Sequence, residues 1–300
     1  MLAILLRRIY FTQLFCGGLL GIYAARQFGQ SGAKALPLVL LCALLLPLLL
    51  QLSVISVSML QSRAKSAGPL WWRAFGGEFL AALRIYWLQM PWANSKNEVW
   101  CPDLPQQTQT WRVPVLLVHG YICNDRVWDK MARALHRAGH PVLAITLEPL
   151  FTSIDDYAPQ IQHAVRQLQQ ATGARQVALV GHSMGGLAIR AWMRGHGSVD
   201  VARIITLGTP HQGTQITPWS PTPNAAQMVW HSPWLQALQA SETPDTRQLM
   251  HIALTLHDNI VYPQRDQVLA GASVTEFKGM GHLELCLDAR LIGYVLQKLH

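Results

Sequence analysis

The stretch VALVGHSMGGLAIRAW, Val177 to Trp192, decides the fold. An apolar run ends at Gly181-His182-Ser183-Met184-Gly185, and a helical pattern begins at once. One hydroxyl between two glycines at a strand–helix junction is a G-x-S-x-G arrangement. Small residues two positions either side let strand and helix pass closely, and the serine sits on a sharp, strained turn. Such a turn exposes the hydroxyl at the C-terminal edge of a sheet, beside a helix N-terminus that favours developing negative charge. Gly186 fits close packing of that helix.

Outward from this stretch the same texture repeats. VPVLLVH (113–119), HPVLAITLE (140–148), QVALVGH (176–182), VARIITLG (201–208), MHIALTLH (250–257) and ASVTEFK (272–278) read as buried strands. Helical patterns near Arg126–Arg137, Tyr157–Gln170, Met184–Arg194 and Leu283–Leu299 lie between or after them. Alternating strands and helices predict a mostly parallel sheet with helices on both faces. The exception is a segment at about 213–246, rich in Pro, Trp, Gln and Ser, which reads as a lid-like insertion.

A serine is a poor nucleophile at neutral pH and needs a base oriented by a carboxylate. After this kind of turn the chain order is Ser, then Asp or Glu, then His. Asp258 follows the apolar run Ile252–Leu256, and His282 lies in the glycine-rich loop after the last strand. Three candidate groups thus stand at three strand ends on one edge of the sheet. An oxyanion hole pairs the N–H after the nucleophile with one from the loop after the first strand. Those residues are Met184 and Tyr121, each donor contributing about 3–4 kcal/mol. His119 and His182 read as structural, and Cys123 and Cys286 as buried thiols. No zinc spacing and no convincing calcium ligands occur, so no cofactor or metal is expected.

Half of the 300 residues are hydrophobic and only 13% are charged, which points to contact with lipid. The net charge of +8 is unevenly distributed: residues 1–112 hold ten Lys/Arg against three Asp/Glu, and residues 113–300 fourteen against thirteen. The excess therefore flanks apolar runs in the N-terminal third, a membrane pattern rather than a nucleic-acid one. Five cysteines, an odd number, form no disulfide framework.

Ala35 to Ser62 carries no charge, and roughly 20 such residues cross a hydrocarbon core of about 30 Å. Ile9 to Ala25 is a second, shorter uncharged run, diluted by Gly17, Gly18 and Gly21. It is read as a retained first span, making a transmembrane hairpin of residues 1–62. Arg7 and Arg8, with Arg63, Lys65 and Arg73, outweigh Arg26 and Lys34 between the spans. The expectation is an inner-membrane protein with both hairpin ends, and the catalytic domain, on the cytoplasmic side.

Residues 63–111 hold six of the eleven tryptophans, between Trp71 and Trp111. Two readings fit them equally: a helix lying in the headgroup layer, or a segment packed on the globular part. Asn94–Thr110 reads as a linker, and residues 112–300 as the catalytic domain.

Together LLVHGY, GHSMGG, LGTPHQGT, LHDNIVYP and GMGH resemble the α/β-hydrolase superfamily, in particular bacterial triacylglycerol lipases and related esterases. The resemblance spans about residues 112–300. It implies Ser183, Asp258 and His282 as a catalytic triad, with Leu207–Thr214 leading into the lid. Secreted lipases of this kind have no transmembrane hairpin and often have a calcium site, so this chain departs from them. The expected activity is hydrolysis of carboxylic esters of hydrophobic acyl groups, on a lipid or other apolar ester substrate. Trp219, Trp230 and Trp234 of the insertion are expected in the acyl pocket or lid. The same triad also serves acyl transfer and thioester cleavage, and a non-catalytic, membrane-bound binding module is the reading from another class.

Overall fold

A computed structural model of the chain describes residues 1–63, 68–94, 97–103, 111–216 and 222–299. Much of the expected linker, together with Lys65 and Trp219, lies outside the described residues.

All six expected strands form, but the last, expected to be buried, is an edge strand with no buried residue. They are β1 (Val115–Val118), β2 (Val142–Ile145), β3 (Val177–His182), β4 (Val201–Leu207), β5 (Met250–Thr255) and β6 (Ser273–Phe277). They make one sheet of order β2-β1-β3-β4-β5-β6, parallel at every pairing. From β1 the chain adds β2 on one side and β3 onward on the other, so the strand order reverses between β1 and β3, and the crevice at their carboxyl ends is where this topology places ligands. Within β1 alternate residues face opposite layers: Val115 and Leu117 join one core, Leu116 and Val118 the other.

Helices α4 (Asp129–Arg137) and α10 (Ala289–Lys298) contribute to the first layer. Helices α5 (Ala158–Thr172) and α6 (Met184–His196) contribute to the second. Two expected helices are shorter than their sequence patterns. A 3₁₀ turn, Asp125–Trp128, precedes α4, with Asn124 Oδ1 accepting from Arg126 N–H. Another, Leu283–Cys286, is set off from α10 by Asp288, whose carboxylate caps the new helix at Arg290 N–H.

Among its described residues the insertion holds three short helices, α7 (Pro223–Gln227), α8 (Pro233–Ala240) and α9 (Pro244–Gln248). Each begins with proline, which has no N–H to leave unpaired at that position. The preceding Ser232 and Thr243 cap their helices by accepting from Leu235 and Thr246 N–H.

Toward the N-terminus, α1 (Leu2–Gln27) and α2 (Leu36–Gln61) form an antiparallel hairpin, each long and apolar enough to cross a membrane. Most of their surface is exposed, Phe11, Phe15, Leu44 and Val54 included. Two of the three glycines that dilute α1, Gly17 and Gly21, lie on its packing face. A Cβ on Gly17 would lie 2.6 Å from the Cys42 carbonyl oxygen, and one on Gly21 2.5 Å from Val39 Cα. Two small residues four apart let the two helices approach closely.

The hairpin base meets the carboxyl edge of the sheet. The Met1 ammonium pairs with Glu148 after β2 at 2.6 Å, and Asn259 after β5 donates to Ser58 Oγ at 2.9 Å. Between hairpin and sheet runs α3 (Leu70–Ala82), continued by a π-helical stretch Leu83–Gln89 and a 3₁₀ turn Met90–Trp92. Its inner face packs on the hairpin and the core: Trp71 Nε1 donates to the Met59 carbonyl, and Ala74, Ala81 and Ile85 are buried. Its outer face exposes Trp72, Leu80, Leu88 and Trp92.

Candidate active site

Strand β3 ends at His182 and α6 begins at Met184, so Ser183 alone makes the turn. It does so at φ 54°, ψ −128°, a conformation that costs a residue with a Cβ and persists only when its surroundings hold it. Ser183 N–H donates to the Leu207 carbonyl of β4, and the Ser183 carbonyl accepts from Gly186 N–H. Gly181 and Gly185 permit the crossing: a Cβ on Gly181 would lie 2.6 Å from Gly186 N, and one on Gly185 2.6 Å from the His119 carbonyl oxygen. Ser183 is 6% exposed, at the N-terminus of a 13-residue helix whose first N–H groups have no intrahelical acceptor.

Asp258 and His282, from the loops after β5 and β6, meet at the same edge. Asp258 Oδ2 lies 2.9 Å from His282 Nδ1, both residues being buried. The other oxygen, Oδ1, accepts from Ile260 and Val261 N–H at 2.9 and 2.7 Å. A carboxylate oxygen can only accept, so His282 Nδ1 carries the proton and Nε2 keeps the lone pair. Burial lowers the imidazole pKa, but the Asp258 charge and hydrogen bond, with the Glu78 charge, outweigh it. The net direction is upward.

Ser183 joins this pair through its neighbour. The His182 ring lies 4.6 Å from the His282 ring, and its Nε2–H donates to the His282 carbonyl at 3.1 Å. Among the described residues the structure has no hydrogen bond from Ser183 Oγ to His282; such bonds are often long without substrate and tighten in its complex. Burial, then the His282 charge, hold His182 well below the usual histidine range, so it is a neutral packing group.

The loop after β1 presses on the nucleophilic turn: a Cβ on Gly120 would lie 2.7 Å from Ser183 Cβ. His119 ties that loop down. Its Nε2 accepts from Leu147 N–H, leaving Nδ1–H to donate to the Gly120 carbonyl, and burial lowers its pKa to about 4. Tyr121 and Met184 both lie under the insertion. The Tyr121 hydroxyl bonds Thr222 Oγ1 at 3.1 Å, and Asn224 Nδ2 approaches Met184 Sδ at 3.8 Å. Of the expected pocket tryptophans, Trp234 donates to Asp155 at 2.8 Å and Trp230 packs on His231.

A family model for palmitoyl protein thioesterases matches residues 114–248, from β1 to the end of the insertion. A triacylglycerol lipase of Pseudarthrobacter phenanthrenivorans is 35% identical over 113 residues, 35% of this chain and 35% of that protein. One from Burkholderia plantarii is 35% identical over 113 residues, 35% of this chain and 31% of its own. The chain thus aligns with about a third of the length of these curated relatives. Among solved structures, the mature form of Bacillus licheniformis lipase BlEst2 superposes with a TM-score of 0.57 at 19% identity, covering 69% of this chain and 99% of that one. The sheet-bearing part of this chain has the α/β-hydrolase fold.

One further buried carboxylate stands beside the candidate site. Glu78, on α3, accepts from Leu283 N–H with both oxygens, at 3.1 and 2.9 Å, and from Glu284 N–H at 3.1 Å. It is 1% exposed, and burial pushes its pKa up to about 7 against the His282 charge and these N–H groups. The motif logic passes over it. The signal available was its isolation: Glu78 is the sole acidic residue in the first 97, preceded by Gly76-Gly77 in an apolar, Trp-rich helix. Asn259 is a second omission, its Oδ1 accepting from His282 N–H at 3.1 Å. Cys123 and Cys286 are buried, the Cys123 pKa raised to about 12, so neither is a reactive thiolate. Among the described residues no three His, Cys, Asp or Glu side chains cluster to hold a metal ion.

Proposed function

We propose that this protein is a membrane-anchored serine hydrolase that cleaves carboxylic esters of hydrophobic acyl groups through an acyl-enzyme on Ser183. One observation carries the reading: a positive-φ serine turn and a buried His282–Asp258 pair meet at a single sheet edge. His282 Nε2 takes the Ser183 proton as Oγ attacks the ester carbonyl. The developing oxyanion is received by Tyr121 and Met184 N–H, and Asp258 holds the imidazole tautomer and stabilises its charge. Collapse breaks the ester C–O bond, and the imidazolium returns the proton to the leaving alcohol. Water, deprotonated by the same Nε2, then releases the acid and restores Ser183.

The anchor is the α1–α2 hairpin. Its exposed apolar surface, and helices of 26 residues each, support two spans across a core of about 30 Å. The exposed Trp72, Leu80, Leu88 and Trp92 suit a headgroup layer at its base. Substrate would then be a lipid or other apolar ester taken up at the membrane surface, on the cytoplasmic side by the basic flanks. Protease accessibility of residues 112–300 in inverted vesicles checks the sidedness.

A second reading, in which the acyl group arrives as a thioester, has its own support: the matching family model is one of palmitoyl protein thioesterases. The deciding experiment labels the full chain with a fluorophosphonate probe and assays oxygen esters and thioesters of increasing chain length. Wild type is expected to label and to release free acid; Ser183→Ala is expected to do neither. Folded wild-type protein that resists the probe would refute the nucleophile.

A further inference from the structure

We propose that Glu78, on a helix outside the motif-bearing part of the chain, is a positioning residue that holds His282 at the sheet edge. The inference rests on the reading of His282 as general base. Four backbone groups at and just after that histidine are tied. Its N–H goes to Asn259 Oδ1 and its carbonyl to His182 Nε2, while the next two N–H groups go to Glu78. The Glu78 bonds span more than 200 residues of sequence and fix the turn that carries the ring.

The fit is close on both sides. A Cβ on Gly281 would lie 2.5 Å from Glu78 Oε2, and one on Gly77 would strike the Glu284 carboxylate. Each acid therefore packs against the glycine that precedes a key residue of the facing segment. Burying a carboxylate is costly unless it is hydrogen-bonded, and a passive helix contact at this place needs only an apolar side chain. The titratable groups around Glu78 are His282 and Asp258 from the two catalytic loops, Cys286 from the 3₁₀ turn and Tyr86 from the π-helical stretch. At the solvent side Glu284 pairs with Arg73. Of these, His282 is the group whose charge change the Glu78 charge affects during turnover, since it favours the imidazolium.

The test uses the full chain in detergent micelles, with a soluble short-chain aryl ester and kcat and KM measured from pH 5 to 9. Glu78→Gln keeps the shape but has one accepting oxygen and no charge. It is expected to lower kcat about 10- to 100-fold, the cost of a misplaced catalytic group, with KM nearly unchanged. Glu78 ionises near pH 7, and where it is ionised its charge raises the His282 pKa; its loss should therefore also move the acidic limb of kcat/KM to lower pH. Glu78→Asp, retaining the charge, should leave that limb in place and restore part of kcat. Gly281→Ala displaces the carboxylate from the opposite side and should lower kcat without moving the limb; it decides the matter if Glu78→Gln does not fold. Folded Glu78→Gln protein with the wild-type kcat and limb overturns the proposal. If Ser183→Ala still turns over the ester, the hydrolase reading falls and this inference with it; if Ser183→Ala is inactive while Glu78→Gln matches wild type, this inference alone falls.

Discussion

Replacing Glu242 by glutamine should destabilise this protein more than any other isosteric change in the insertion. Glu242 closes a bidentate pair with Arg190, Nε to Oε1 at 2.5 Å and Nη2 to Oε2 at 3.1 Å. Arg190 is fully buried on the helix that follows the nucleophile, and Glu242 is buried between α8 and α9. The remaining neighbours cannot substitute for the lost charge. His211, kept neutral by burial and then by the guanidinium charge, accepts from Arg190 Nη1 at Nδ1 and turns its Nε2–H to Thr206 Oγ1. Arg247, 3.2 Å from Glu242, is itself a cation. Glu242→Gln therefore leaves a buried guanidinium without a counter-charge, a loss of about 3–5 kcal/mol. At roughly 2–4 °C per kcal/mol for a domain of this size, Tm should fall by on the order of 10 °C. Tryptophan fluorescence during heating in detergent reads this directly. The double variant Arg190→Met with Glu242→Leu, which removes both charges, should recover most of the loss. A Glu242→Gln shift under about 2 °C would refute the claim that the pair pins the insertion to α6.

Two further outcomes follow from the site. Asp258→Asn cannot hold the Nδ1–H tautomer, so kcat should drop about 10³- to 10⁴-fold. What activity remains should rise at lower pH than in wild type, since Asp258 is the chief group raising the His282 pKa against its burial; pH–rate profiles check both. Glu78 should also register in stability. Its pKa rises from 4.5 to about 7 on folding, which at about 1.36 kcal/mol per pKa unit is on the order of 3 kcal/mol. The folded state binds that proton more tightly, so the contribution is complete below pH 4.5 and lost as pH rises through about 7. Wild-type Tm should therefore fall relative to Glu78→Gln between pH 5 and 8, and parallel melting curves across that range would contradict the burial argument.

The central strands were legible in the sequence because a buried parallel strand is a largely apolar run bounded by turn residues or a helix pattern; the edge strand β6, SVTEF, has no buried residue and shows only its β-branched and aromatic content. Ser183, Asp258 and His282 could be nominated because each follows a strand, and the carboxyl ends of parallel strands share one edge. The proline-led starts of α7, α8 and α9 are equally local signals, but the helices are too short to show a period, so the segment reads only as a lid-like insertion. Tertiary structure decided what no local pattern encodes. Trp71 and Trp72 are adjacent in sequence, but one is 4% and the other 67% exposed, since helix geometry turns them to opposite sides of a packing surface. Gly17 and Gly21 read as a flaw in a membrane span until α2 lies against them. Glu78 meets Leu283 across 205 residues, and Ser58 meets Asn259 across 201. A single carboxylate or hydroxyl carries no periodicity, and its role exists only once folding brings a backbone N–H or an amide within 3 Å of it.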